Sequence, residues 1–539
     1  MKRISIYILI ALLLTAMTGC EKWLDVNKNP NDLTVSTKEL VLTAVTKTYG
    51  ERQQLGSGFT LLGAWVGYYG HSGGWSGWNN VKSYRIIASD FNGFWDPYYN
   101  DLTNLKYVAD KAEADGNMTF VAVAKIMRAG FYHRIVDVYG DVPYSEAVGG
   151  FDGITNPKYD DAQAIYEDLV DELDWAINEL DDIINDPGRA GTETMGGEDL
   201  INHGDRTKWL QYANTLKLRI LLQQADMTGR TAYIQEKINS TAALGYVSSE
   251  TTGHITMNPG YQANTSGKMN PLYSSYGKDH LGNFTSGHQQ YGLNSFLHHL
   301  YTTTSDPRMQ ICWLPGVTSL NYNNPAQLGM DAALMPHWNS LAILMSEGIY
   351  GPEGTQAGGN GSGDIVVMST MEADFLIAEA IQRGFLASYE GMDAEQWYEE
   401  AIWESFLYYG LRKKMLVADI TTAYNDYMSQ AVDLIDWATS TDKLKAIIYQ
   451  KYIAGVGVYH FSTWSDYRRT GWPDPEYGTD WSMISHYFDI VAAQVPVRLS
   501  YPQRELDLNN TNVVDAITKT GLANDALFIM NARIFWDEE

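Results

Sequence analysis

The chain has 539 residues, with 65 acidic against 38 basic side chains and a formal charge of −27 at pH 7. Such a surface repels phosphate backbones, which argues against a nucleic-acid partner. With 45% hydrophobic residues the length allows roughly two to four ordinary domains or one large helical assembly, and no apolar run after the N-terminus reaches membrane-spanning length.

Residues 1–20 open with Lys2 and Arg3, continue through an apolar run over 4–17 broken by Ser5 and Thr15, and close on Thr18, Gly19 and Cys20. That order predicts a secretory signal peptide over 1–19, too short for a comfortable membrane span. Its end resembles a bacterial lipoprotein lipobox, which implies acylation of Cys20; Met17 stands where Leu is commonest. The lipidated cysteine and a polar tether then occupy 20–34, where Asn27, Asn29, Pro30, Asn31 and Asp32 oppose a helix. With Cys20 acylated, Cys312 has no partner within the chain, so its Ile-Cys-Trp context reads as a buried, small apolar residue. Two cysteines are too few for a zinc cysteine cluster.

Helical periodicity dominates thereafter. In 119–136, Phe120, Ala124, Met127, Phe131 and Ile135 recur at steps of three and four. In 161–180, Ile165, Leu169, Leu173, Ala176, Ile177 and Leu180 do the same, with Asp and Glu on the other face. Asp205 reads as the N-cap of a helix through Trp209, Tyr212, Ala213 and Leu216. Ser369 and Glu372 have capping-box spacing before Phe375, Ile377, Ala378 and Ile381, and Gly384 is placed to end that helix. The next helix passes Trp397, Ala401, Ile402 and Phe406 to Gly410, and another covers 443–453. These are candidates for antiparallel pairs, although no clean 34-residue repeat can be counted.

Three long stretches interrupt the helices. Residues 67–80 and 259–296 are rich in Gly, Asn, Ser, Tyr and Trp, and 346–364 is nearly all Gly, Ser and small polar residues. Loops of this length inside a compact protein are usually functional or disordered. The third reads as mobile; the first two carry too many aromatics for idle linkers.

Eight segments, in order, resemble the SusD/RagB-type outer-membrane lipoproteins of Bacteroidetes, in their SusD-like subgroup. They are Asn27-Lys28-Asn29-Pro30-Asn31-Asp32-Leu33; Asp137-Val138-Tyr139-Gly140-Asp141-Val142-Pro143-Tyr144; Tyr166–Leu180 with its Ile-Tyr-Glu-Asp-Leu run; and Asp205 to Arg219 with its Lys208-Trp209. Further on come Ala378-Glu379-Ala380, Gln450-Lys451-Tyr452, the run from Trp464-Ser465-Asp466-Tyr467-Arg468-Arg469 to Pro473, and Val495-Pro496-Val497-Arg498 with Tyr501-Pro502. The resemblance implies one helical domain over 35–539, mainly α, with a tetratricopeptide-like helix-pair scaffold, long irregular loops and a few short strands. It implies a cell-surface lipoprotein of the outer membrane that captures oligosaccharides for a SusC-like TonB-dependent barrel transporter and does no chemistry. Asp466, Arg468 and Arg469 read as buried charge pairs of the scaffold.

An oligosaccharide binder needs exposed aromatic planes with Asn, Asp, Gln or Arg beside them. Residues 67–80 offer both, in Tyr68, Tyr69, Trp75 and Trp78 beside His71, Asn79 and Asn80; packing of Trp75 and Trp78 beneath their own loop is the competing reading. Tyr273, Tyr276 and Trp338 are further candidates for ligand contact. Catalytic residues are expected to be absent, because no His-Glu-x-x-His, Gly-x-Ser-x-Gly or phosphate loop occurs. No cofactor is expected, and a structural calcium ion held by loop Asp and Asn side chains stays open. A peptide or glycopeptide ligand is the alternative within the same importer role. A helical glycoside hydrolase is the more distant one, since 65 acids always provide pairs.

Overall fold

Helices form where the apolar periodicity is strongest, and they pack in sequence. The structure, a computed structural model, describes residues 36–54, 56–72, 77, 79–90, 92–150, 153–186, 188–189, 191, 193–249, 252–316, 318, 320–328, 361–476, 479–487, 494–525 and 528–537. The signal peptide, Cys20, the tether, Trp75, Trp78, Trp338 and most of the third loop stretch lie outside these residues.

The chain begins with α1 (Lys38–Gln54) and α2 (Gly56–Trp65), followed by β1 (Tyr69–His71). Next come α3 (Asp96–Ala114) and α4 (Met118–Tyr139), the short strands β2 (Val142–Pro143) and β3 (Tyr159–Asp160), then α5 (Ala162–Asn185), α6 (Arg206–Leu222) and α7 (Thr231–Thr241). Helix α4 packs between α3 and α5, and α5 packs on α6, so neighbours in sequence are neighbours in space. The periodic reading undersold α4. Eighteen of its residues are buried, including Val121, Val123, Ile126 and Val136 off the predicted stripe, because several elements besides α3 and α5 pack round it. By contrast α5 keeps the expected single apolar face, from Ile165 to Leu180. Asp205 caps α6 by accepting from the Lys208 amide at 3.1 Å.

The second half adds β4 (Ile255–Met257), β5 (Tyr291–Leu293), α8 (Ser295–Thr303), β6 (Ile365–Met368), α9 (Thr370–Gln382), α10 (Ala394–Arg412), α11 (Val417–Met428), α12 (Lys443–Ala454) and α13 (His460–Thr470). Helix α9 lies against both α10 and α12, and α13 returns to α2. Ser369 accepts from the Glu372 amide at 3.1 Å, but Glu372 pairs with Arg219 at 2.8 Å instead of closing a reciprocal box. The closed box is at Asp393 and Gln396, at the start of α10. Gly384, with φ +75°, follows the end of α9 as expected. Gly410 does not end α10, which runs two residues further. A Cβ there would lie 2.6 Å from the Ile420 side chain, so this glycine admits α11 at close range.

Among the described residues the strands form three two-stranded antiparallel ribbons: β1 with β5, β2 with β3, and β4 with β6. A hydrophobic cluster extending from Leu42 to Trp536 joins both halves, with Cys312 buried in it as expected. Among the described residues no helix is long and apolar enough to cross a membrane.

Candidate functional site

Described parts of the three loop stretches singled out in the sequence pack against one another. Strand β1 comes from the first and β5 from the second, in the register Tyr69↔Leu293, Gly70↔Gly292 and His71↔Tyr291. Residues 326–328 extend this ribbon, since the Ala326 amide donates to the Leu293 carbonyl at 2.7 Å. Gly70 is required there: a Cβ would stand 2.6–2.7 Å from Ala326 and Gln327. The start of the described part of the third stretch docks on the second, where Asn270 donates from Nδ2 to the Gly363 carbonyl at 2.9 Å and caps the helix Pro271–Tyr276 with its Oδ1.

Several residues expected as an exposed arc are instead interior. Tyr69 and His71 are buried because β1 is enclosed between α13 and β5. Tyr69 shares a 3.2 Å hydrogen bond with His460 Nε2, and its ring meets Tyr291 at 5.7 Å. Burial, aided by Lys82, pushes His71 down to about 3, and burial does the same to His460 despite its bond to the Phe59 carbonyl, so both imidazoles are neutral. Tyr68 is buried too, donating to the Tyr452 carbonyl at 2.5 Å. Tyr273 is buried in its short helix, whereas Tyr276 is half-buried with its ring 5.6 Å from Tyr291. Asn79 and Asn80 are exposed, and Asn80 donates to Asp90 at 2.9 Å. These tyrosines therefore form the base of the loop face. Exposed rings on its described part are Phe284 and Trp481, neither of which the sequence reading chose. Phe284 carries Lys278 on its ring at 4.7 Å and stacks on His288 at 4.2 Å.

A cleft of about 670 Å³ lies elsewhere, between α3, α4 and α5. Three of its charged groups hold one another, Glu172 binding Lys125 at 2.9 Å and Arg128 at 2.6 Å, and the Tyr144 hydroxyl donates to Asp168. Among the described residues no three His, Cys, Asp or Glu side chains are grouped to hold a metal ion.

The sequence motifs behind the family resemblance converge in the interior. Arg469 makes a two-pronged contact with Glu379 at 2.6 and 2.7 Å and also holds Asp466 at 2.8 Å. Lys451 meets the other oxygen of Asp466 at 2.9 Å. Arg468 donates to the carbonyls of Asp137 and Val497 at 2.6 and 2.9 Å while its guanidinium lies 3.5 Å from the Trp464 ring centre. Five of the eight segments thus share one buried junction, which is scaffold, as read from the sequence.

Over residues 31–502 the chain matches the SusD-like family described as "Starch-binding associating with outer membrane". The chain belongs to the SusD-like family. Solved structures agree on the fold. A SusD homologue from Bacteroides fragilis superposes with TM-score 0.71 at 20% identity, covering 94% of this chain and all of that one. A chitin-binding SusD homologue from Flavobacterium johnsoniae gives 0.69 at 21% identity, covering 92% and 98%. One from Bacteroides uniformis gives 0.69 at 20%, covering 93% and 99%. No curated protein is detectably similar in sequence. The mainly helical SusD-like fold, with few short strands, is the one expected.

Proposed function

We propose that this SusD-like protein is a cell-surface lipoprotein, anchored through Cys20, that captures glycans on its loop face and delivers them to a TonB-dependent barrel of the outer membrane. The observation that carries the reading is the meeting of the aromatic-rich stretches 67–80 and 259–296 in the β1–β5 ribbon, which packs against α13. A rigid base of packed tyrosines supports loops that present polar and aromatic groups, which is what recognition of hydroxyls and C–H faces requires. Family membership supports the outer-membrane setting, and the chitin-binding relative lends weight to a glycan ligand. Binding is proposed to occur without turnover. In the cleft between α3, α4 and α5, Glu172 is held in ion pairs and Asp168 in a hydrogen bond, not poised as an acid facing a nucleophile.

The test is calorimetry of the mature protein against starch- and chitin-derived oligosaccharides, with reducing ends counted before and after. Binding with no new reducing ends is expected. Trp75→Ala or Trp78→Ala is expected to weaken binding by about 1–2 kcal/mol while the melting temperature holds. A large drop in melting temperature would show these tryptophans to be core residues. Turnover that vanishes on mutating a single Asp or Glu would refute the binding role.

A further inference from the structure

The segment 479–487 holds an exposed tryptophan on a tightly fixed backbone. Met483 and Ile484 are buried beneath it, and Met483 lies where a Cβ on Gly67 would fall 2.7 Å away. The Ser485 amide donates to the Tyr84 hydroxyl at 2.9 Å, Ser485 Oγ to the Lys82 carbonyl at 2.5 Å, and the His486 amide to the Leu328 carbonyl at 2.8 Å. Gln327 ties the Asp480 carbonyl to Ser295 of α8. These contacts fasten the segment to the same 326–328 strand that extends the β1–β5 ribbon. Trp481 nevertheless stays 39% exposed. Its ring stacks at 4.4 Å and 12° on His299, so one face is backed by a flat partner and the remaining surface looks outward.

A ring fixed by its backbone and by His299 suits a ligand, since a preset ring surrenders little side-chain freedom on binding. The immediate chemistry narrows the choice of ligand. Residues 471–487 contain Asp474, Glu476 and Asp480, all exposed, and no Lys or Arg. That charge disfavours uronic or sulfated sugars. We propose that Trp481 is a stacking platform for one uncharged pyranose ring, forming a subsite on the face formed by β1, β5 and 326–328. The proposal rests on the glycan reading above and names a residue and a sugar class for it.

Calorimetry on the mature protein provides the test, with malto-, cello-, xylo- and chito-oligosaccharides as neutral probes, oligogalacturonate as the acidic one, and a tryptic peptide mixture as control. Wild type is expected to bind at least one neutral probe. Trp481→Ala is expected to weaken that binding about tenfold and Trp481→Phe to recover part of it, with both melting as wild type does. Full affinity in Trp481→Ala for a glycan that wild type binds would overturn the platform and leave the glycan reading standing. Preference for oligogalacturonate would overturn the sugar class. Binding of peptides alone, or of no probe, would overturn the glycan reading together with the platform.

Discussion

Replacing Glu379 by Gln removes a charge that the interior holds between two guanidinium groups. Burial alone pushes this carboxyl up; Arg469 and then Arg383 more than reverse that and bring it down to about 2, from 4.5. A carboxyl so displaced contributes about 3 kcal/mol to folding at neutral pH. The general cost of removing one partner from a buried pair, about 3–5 kcal/mol, agrees. The sign follows from the depressed value. The contribution is complete above about pH 4.5 and fades as pH falls towards 2, with less than half of it left at pH 3. Unfolding entropy of about 2.1 cal/mol/K per residue amounts to about 1 kcal/mol/K for a chain of this size, so the loss corresponds to about 3 °C. Scanning calorimetry of wild type and Glu379→Gln at pH 7, 5 and 3 reads it. The variant is expected to melt about 3 °C lower at pH 7, with the gap shrinking to under half at pH 3. A gap below about 1 °C at pH 7, or one that ignores pH, would refute the reasoning.

Cys20→Ala is expected to move the protein from the membrane fraction to the soluble one in cells lacking the transporter, because the anchor depends on acyl chains at that thiol; retention in the membrane would count against it. Gly130→Ala in α4 is expected to lower stability by about 1–3 kcal/mol despite alanine's better helix propensity, since the new Cβ would lie 1.9 Å from the Tyr49 hydroxyl. The double variant with Tyr49→Phe is expected to recover part of the loss, measured by the same melting experiment.

The helices were legible wherever a repeating apolar set and a capping residue coincided, as at Asp205 for α6 and along α5. Position on the chain does not reveal how many neighbours a helix acquires, which is why α4, packed by more elements than its stripe implies, reads as one-faced. Nor does spacing reveal competition for a side chain: Glu372 sits correctly for a capping box but is drawn across to Arg219. The loop stretches were recognisable by composition as a functional face, yet the roles within them were not. Tyr69 and His71 alternate with Gly70 like residues of an exposed loop, and only the docking of β5 and α13 makes them interior. Trp481 carries no distinguishing pattern in the sequence, because its exposure depends on the partners of Met483 and Ile484.

The buried junction also sets a timetable. A chain that emerges N-terminus first presents α4, with Asp137 near its end, long before Arg468 exists to cap the Asp137 carbonyl, 331 residues later. Trp536, which stacks on Arg468 at 4.6 Å and donates to the Tyr166 hydroxyl at 3.2 Å, arrives later still. Until then α4 has chiefly its neighbours in sequence, α3 and α5, packed beside it, so the closing of the fold around this helix waits on the last segments of the chain.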